Sequence, residues 1–356
     1  MKRILYISGN EKWRGSEGVV DDLFNYTSAG FEHYLFCPEH SELYTKNTFK
    51  KDRIFLFKRN WVYILTAAYQ LKKICVEYKI NLIHLNDSRS INIFIAASIL
   101  GLNVRAVLHR HVNIPITNTR KYNYNKIIHF FCVSEQVRST ASKTIDEKKL
   151  SVVYPGIKII QYNNEKNYTE NFLKKMFDKP AGAKIIGIVS AVVKEKNITE
   201  FIEIATRAHE QNKNYHFVIV GSGKLYDAYK NNYSNDHIHF TGFRKDISGI
   251  LSCFDIFLFT SKNEGFPLVL LEAMAAKTPV ISSYFPSAGE MIKQEKTGFI
   301  YTDINDALAK IELLITNETF CNNITNNAFL FVQQFDVTLM CKQIEEKYTE
   351  LLNQPS

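Results

Sequence analysis

Short apolar runs of strand type alternate with helical stretches along this sequence, and they do so twice, on either side of one polar segment. In the first half "RILYIS" (3–8), "HYLFCP", "RIFLF", "INLIHLN", "VRAVLH", "KIIHFFCVS" and "LSVVYPG" read as strands. Between them "SEGVVDDLFNYTSA" (16–29), "VYILTAAYQLKKICVEY" and "INIFIAASILG" carry apolar residues at helical spacing. Strands alternating with helices build a parallel, doubly wound sheet, because parallel neighbours need a crossover and a helix supplies it. Residues 159–182 are polar, Asn-rich and end on Pro-Ala-Gly, which reads as a linker with one short helix. The alternation restarts at "KIIGIVS" and continues through "HFVIVGSG", "IHFTGF", "DIFLFTS", "PVISS" and "GFIY". A chain of 356 residues also exceeds what one core usually serves. The expectation is an α/β protein of two Rossmann-like domains, 1–165 and 166–335, with a C-terminal helix over 336–356 packing back on the first. Such sheets bind ligands at the carboxyl ends of their strands, so two facing domains imply a cleft.

Charge is unevenly divided. The net charge is +8, but residues 1–158 hold 24 Lys and Arg against 13 Asp and Glu, and the remainder 20 against 23. The first half is drawn to anionic partners and the second is not. The basic residues are dispersed and no recognition module accompanies them, so no nucleic-acid partner is expected. The stretch "KKDRIFLFKRNWVYIL" (50–65) mixes cations with aromatics, as a segment resting on an anionic membrane does. No apolar run reaches spanning length, and Glu11, Lys12 and Arg14 follow Lys2 and Arg3 too soon for a secretory leader. The expected location is the cytoplasm, with peripheral contact at the inner face of the plasma membrane. The six cysteines (37, 75, 132, 253, 321, 341) form no close pair and read as buried free thiols rather than zinc ligands or disulfides.

The chemistry concentrates in "NEGFPLVLLEAMA" (263–275), where Glu272 sits in a run otherwise made of Leu, Val, Ala and Met. Desolvating an unpaired carboxylate costs several kcal/mol, so this one must hold something. Pro267 suits the first turn of a helix, where its missing N–H is not needed. The N–H groups around Gly265, Phe266 and Leu268 would form an anion site aided by the helix dipole, and Gly265 would let the anion approach. A carboxylate deeper in the helix can accept two hydrogen bonds from a vicinal diol such as ribose. Phosphate at the helix start and a diol further in suggest a nucleotide. The blander reading is that Glu272 pairs with a buried Lys or with backbone donors.

With "TPVISS" behind it, the Glu264-x7-Glu272 pattern resembles the signature of family-four retaining glycosyltransferases, which have the GT-B architecture. "RGSEGVVDDL", "FCVSEQVR", "VVYPGI", "VIVGSGKLYD", "FTGFRKDI" and "FDIFLFTSKNEGFP" follow in that family's order, so the resemblance spans nearly the whole chain. It implies that Glu272 holds the ribose of a nucleotide-sugar donor and that Glu264 positions the donor sugar through its hydroxyls. It implies that Gly265, Phe266 and Leu268 offer backbone N–H groups to the diphosphate or sugar. Lys196, in "VVKEKNITEF", matches the lysine that stabilises the departing diphosphate, where negative charge develops. Gly15 and Ser16 would face the same diphosphate from the first domain. Gly221 and Gly223 would let the chain turn beside the nucleotide, and Phe243 and Arg244 belong to the loop that meets the base. His109 and His111, in "VLHRHVN", compete for a histidine that meets the sugar's primary hydroxyl, with spacing favouring His111. Glu290 ranks low beside them. Taken singly, each has an ordinary reading as a solvated Lys, a turn Gly or a surface His.

The donor implied is a UDP- or GDP-sugar, and the acceptor a glycan or lipid-linked hydroxyl in bacterial surface polysaccharide or lipopolysaccharide assembly. No cofactor and no metal are expected, because "NDSR" (86–89) and "FRKDI" (243–247) offer one acid each and "VDDL" lies inside a helix. Three positions depart from the family. Ala191 stands where an Arg often precedes the lysine, Lys277 replaces a Gly, and Arg14 replaces the first of two glycines. Loss of the Arg weakens leaving-group stabilisation unless Arg14 or Arg244 substitutes. The rival readings are a non-catalytic homologue that binds a nucleotide-sugar or partner subunit, and a sugar-nucleotide epimerase of the same architecture. Donor hydrolysis and product analysis separate them.

Overall fold

The computed structural model describes residues 1–26, 30–160, 182–211 and 213–354. They form two units, Met1–Gly156 with Val337–Ser356, and Ile157–Asp336. The expected boundary at residue 165 and the linker helix lie outside the described residues.

The first unit is a seven-stranded sheet in the order β3-β2-β1-β4-β5-β6-β7. Its strands are β1 (Lys2–Ile7), β2 (Phe31–Pro38), β3 (Ile54–Phe57), β4 (Leu82–Leu85), β5 (Arg105–Arg110), β6 (Ile127–Cys132) and β7 (Leu150–Val152). Every pairing is parallel. Both faces of such a sheet are covered, which is why Ile4, Leu5, Tyr6 and Ile7 are all fully buried. The helix Gly15–Asn25 is shorter than the stretch 16–29 suggests, because Tyr26 turns to extended backbone. The helix Val337–Asn353 buries Met340, Cys341, Ile344 and Tyr348 in the same core as Ile4, Tyr6 and Val20.

The second unit is a six-stranded parallel sheet in the order β10-β9-β8-β11-β12-β13. Its strands are β8 (Lys184–Val189), β9 (Tyr215–Val220), β10 (Ile238–Gly242), β11 (Ile256–Phe259), β12 (Val280–Ser283) and β13 (Phe299–Tyr301). In each unit the strand order reverses once, between β1 and β4 and between β8 and β11. Loops leaving the carboxyl ends of such a pair diverge to opposite sides and open a crevice, so they are where polar groups can gather around a ligand.

None of the six cysteines, all within the described residues, is in a disulfide, and Cys37, Cys75, Cys132 and Cys341 are buried. Burial pushes the thiols of Cys37, Cys75 and Cys132 up to about 12, so they stay neutral and inert. Among the described residues no helix is long and apolar enough to cross a membrane.

Candidate active site

In the second unit the two loops at the strand reversal meet. The loop after β8 ends in a tight turn, Lys194–Lys196, and Asn197 at φ 51 redirects the chain into the helix Ile198–Glu210. The loop after β11 carries Glu264. Lys196 Nζ lies 2.5 Å from Glu264 Oε1, with both side chains largely shielded from solvent. Three hydrogen bonds of 3.3 Å tie the loops together: Asn197 to the Thr260 carbonyl, the Thr260 hydroxyl to the Lys196 carbonyl, and the Ser261 hydroxyl to the Glu195 carbonyl. Glu200 anchors this frame by accepting from Asn197 at 2.8 Å and from Lys262 and Tyr301 at 2.6 Å. Burial would raise its carboxyl, but those donors outweigh it and hold the group below its ordinary value.

The Ser287 hydroxyl donates to the Gly265 carbonyl at 3.1 Å and sits 3.4 Å from that of Glu264, which fixes the turn into the helix Leu268–Ala275. Pro267 is the residue before this helix, at ψ 103, rather than part of its first turn. The first N–H groups of a helix have no acceptor within it, so those from Leu268 onward suit an anion. The Phe266 ring is buried 5.7 Å from Phe335, so only its backbone is available to a ligand. Glu272 is half-buried in the fifth position of the helix.

Gly221 and Gly223 serve the protein's own backbone. A Cβ on Gly221 would lie 2.0 Å from the Ser190 carbonyl oxygen, and one on Gly223 would lie 2.4 Å from that of Val192. Both carbonyls belong to the loop that carries Lys196. Phe243 is exposed, and Arg244 is clasped by Asp246 through bonds of 2.9 and 2.7 Å. That engagement leaves Arg244 a poor replacement for the cation missing at the exposed Ala191. Lys277 stands at φ 56, a left-handed position after the helix, which accounts for the glycine its family relatives often place there. Glu290 lies in the short helix Ala288–Met291.

In the first unit the reversal gathers the ends of β1 and β4, with β5 alongside. Glu17 is 1% exposed and accepts hydrogen bonds from Ser8 at 3.0 Å, Asn10 at 2.8 Å and Asn86 at 3.2 Å, with Ser16 at 2.9 Å on its other oxygen. Asn86 Oδ1 in turn lies 2.8 Å from His111 Nε2. A carboxylate only accepts, so the Asn86 amide nitrogen must face Glu17 and its oxygen must face His111. His111 therefore carries its proton on Nε2 and presents Nδ1 as an acceptor. Its partial burial lowers its pKa, which keeps the ring neutral. Glu17→Gln removes the constraint, since an amide can donate or accept. The expected result is loss of the single tautomer, read as movement of the His111 ring ¹⁵N shifts toward a mixture. Unchanged shifts would mean the relay does not set the tautomer.

Burial decides between the two histidines. His109 is the penultimate residue of β5, 2% exposed and stacked 4.4 Å from His111, and neither ring nitrogen has a hydrogen-bond partner among the described residues. It is enclosed by the core and does not present its ring to a ligand. Gly15 opens the helix, and among the described residues nothing comes within 4 Å of where a Cβ on it would stand, so the fold itself does not demand glycine there. Ser16 lies inside that helix, whose N-cap is Arg14 in an extended conformation open to any residue. Sequence reasoning did not single out Glu17, Asn86, Asn197, Glu200 or Ser287 as site residues. The signal for Asn86 was its place directly after a strand, and for Glu17 its place in the first turn of the helix that begins at Gly15.

Two parallel sheets of this kind, each with polar groups gathered where its strand order reverses, are the two Rossmann-like domains of the GT-B architecture. The chain belongs to the family-four type of glycosyltransferases: residues 13–160 match the Glycosyltransferase Family 4 model, and residues 169–331 match that of Glycosyl transferases group 1. It is 25% identical over 351 residues, 90% of each chain, to UDP-Gal:alpha-D-GlcNAc-diphosphoundecaprenol alpha-1,3-galactosyltransferase of Escherichia coli. The fold is similar to that of a Rickettsia africae glycosyltransferase, with TM-score 0.85, 19% identity and 99% of each chain covered. It is similar also to that of Anabaena HepE in complex with UDP and glucose, with TM-score 0.83, 17% identity, and 98% of this chain and 100% of that one covered.

Proposed function

We propose that this glycosyltransferase moves a sugar from a UDP- or GDP-sugar to a hydroxyl of a glycan or lipid-linked acceptor, with retention of configuration and without a metal ion. The Lys196–Glu264 pair at the strand reversal carries the reading. Before donor binds, the carboxylate holds the ammonium in place. With donor bound, Lys196 turns to the diphosphate and Glu264 accepts hydrogen bonds from the sugar hydroxyls. Glu272 holds the ribose, and the helix start at Leu268 faces phosphate or sugar. As the bond from the anomeric carbon to the diphosphate oxygen breaks, charge builds on that oxygen and Lys196 stabilises it. The acceptor oxygen bonds to the same face of the anomeric carbon, and its proton passes to the departing diphosphate. His111 Nδ1 accepts from the sugar's primary hydroxyl.

Metal independence is part of the proposal, in which the Lys196 ammonium and the helix start at Leu268 meet the diphosphate charge in place of an ion. The nucleotide named for the Escherichia coli relative is UDP, as is the one in the HepE complex, which favours UDP. The former's diphosphoundecaprenol acceptor favours a lipid-linked acceptor, a role in surface polysaccharide or lipopolysaccharide synthesis, and peripheral contact of the basic first unit with a membrane.

Titration with UDP, GDP and their sugars tests the donor site. Glu272→Ala is expected to weaken nucleotide and nucleotide-sugar alike by roughly 10- to 150-fold, as loss of a charge-assisted hydrogen-bond set of about 1.5–3 kcal/mol implies. Glu272→Gln should keep part of the affinity. Unchanged affinity together with a collapsed melting temperature would make Glu272 structural and overturn the ribose assignment.

A further inference from the structure

The helix Tyr63–Glu77 of the first unit is apolar on two faces, and only one of them is explained by the fold. Ala67, Ala68, Leu71, Ile74 and Cys75 are buried in the core. On the opposite side Leu65, Tyr69 and Val76 are 63%, 66% and 70% exposed, and Trp61, in the turn before the helix, is 95% exposed. Spacings of four and seven residues place Leu65, Tyr69 and Val76 in one stripe, and Trp61 lies in the turn that leads into the helix. Lys72 Nζ donates to the Leu100 carbonyl at 2.6 Å, which brings the exposed Ile99 and Leu100 beside that stripe. Large apolar side chains presented together on a surface mark an interaction site.

The charge around the stripe is predominantly positive, with Glu77 the one acid on the helix itself. Residues 46–79 contain nine Lys and Arg against two acids, and Lys58 and Lys73 are exposed at its margins. We propose that this stripe is the membrane-docking face of the protein, with Trp61, Leu65 and Tyr69 inserted among the acyl chains and headgroups of an anionic bilayer and the lysines on its phosphates. Trp and Tyr favour that boundary because each has an apolar body and a polar tip. A second copy of the chain would bring the same cations face to face, which disfavours self-association. The inference deepens the membrane contact proposed above, but its observations do not depend on the donor or the acceptor.

The chain has two tryptophans, and Trp13 lies under the Lys46 ammonium, so a Trp13→Phe variant leaves Trp61 as the single reporter. It is mixed with vesicles of phosphatidylcholine, or of phosphatidylcholine and phosphatidylglycerol in equal parts, without donor or acceptor. The expected result is a blue shift of Trp61 emission on the anionic vesicles, quenching by lipids brominated in the acyl chain, and weakening with salt. In the otherwise native chain, Trp61→Ser/Leu65→Ser/Tyr69→Ser should lower co-sedimentation at least about tenfold with the melting temperature retained, since those side chains are exposed. Unshifted emission, undiminished co-sedimentation of the triple variant, or a dimer in light scattering that encloses Trp61 would each overturn the proposal. Because no sugar transfer is measured, these outcomes are independent of the proposed reaction.

Discussion

Lys196→Ala is expected to lower kcat by about 10²–10³-fold while the donor's binding constant changes only a few-fold. The ammonium acts on charge that appears as the diphosphate departs, so its contribution belongs to the transition state rather than to the bound donor. The substitution has a second consequence. It leaves the Glu264 carboxylate, 13% exposed in its side chain, without its cation, and breaking such a pair from one side lowers stability. Lys196→Ala/Glu264→Gln should therefore recover melting temperature relative to the single variant while kcat stays low. A mutant that loses donor affinity and keeps kcat would contradict the proposed role, and so would recovery of turnover in the double variant.

Gly221→Ala is expected to destabilise the protein by about 4 kcal/mol or more, which is large for the addition of one methyl group. Gly221 stands at φ 139, a backbone region that L side chains avoid, and its N–H donates to the Gly242 carbonyl at 2.9 Å. The added carbon would lie 2.0 Å from the Ser190 carbonyl oxygen, so relief requires the loops after β8 and β9 to separate. The loop after β8 also places Lys196. Folded Gly221→Ala protein should therefore show reduced turnover as well as a lower denaturation midpoint. Wild-type stability in chemical denaturation would rule out the close approach on which this rests.

The strands were legible because parallel sheets are covered on both faces, and their strands then read as unbroken apolar runs such as "RILYIS" and "DIFLF". Glu264, Glu272 and Lys196 stood out as a charge in an apolar run or as part of a motif. Their relationship did not. Lys196 and Glu264 are 68 residues apart, and only the order β8-β11 within the sheet makes their loops neighbours. The same holds for Glu17 and Asn86, 69 residues apart, joined by the adjacency of β1 and β4. His109 and His111 share one side of an extended chain, so periodicity could not separate them. The end of β5 at Arg110 does, because a histidine inside the strand is enclosed and one past its end is half open. Pro267 shows the same limit at a helix start, where the boundary moves by one residue with the local ψ.

The measurement that tests the account most directly is the anomeric configuration of the transferred sugar, followed by proton NMR during turnover of a UDP-sugar in excess chelator. The expected result is that an α-linked donor gives an α-linked product, that the rate persists in chelator, and that Lys196→Ala slows formation of the same anomer. A β-linked product, or activity abolished by chelator and restored by Mg²⁺ or Mn²⁺, would contradict it.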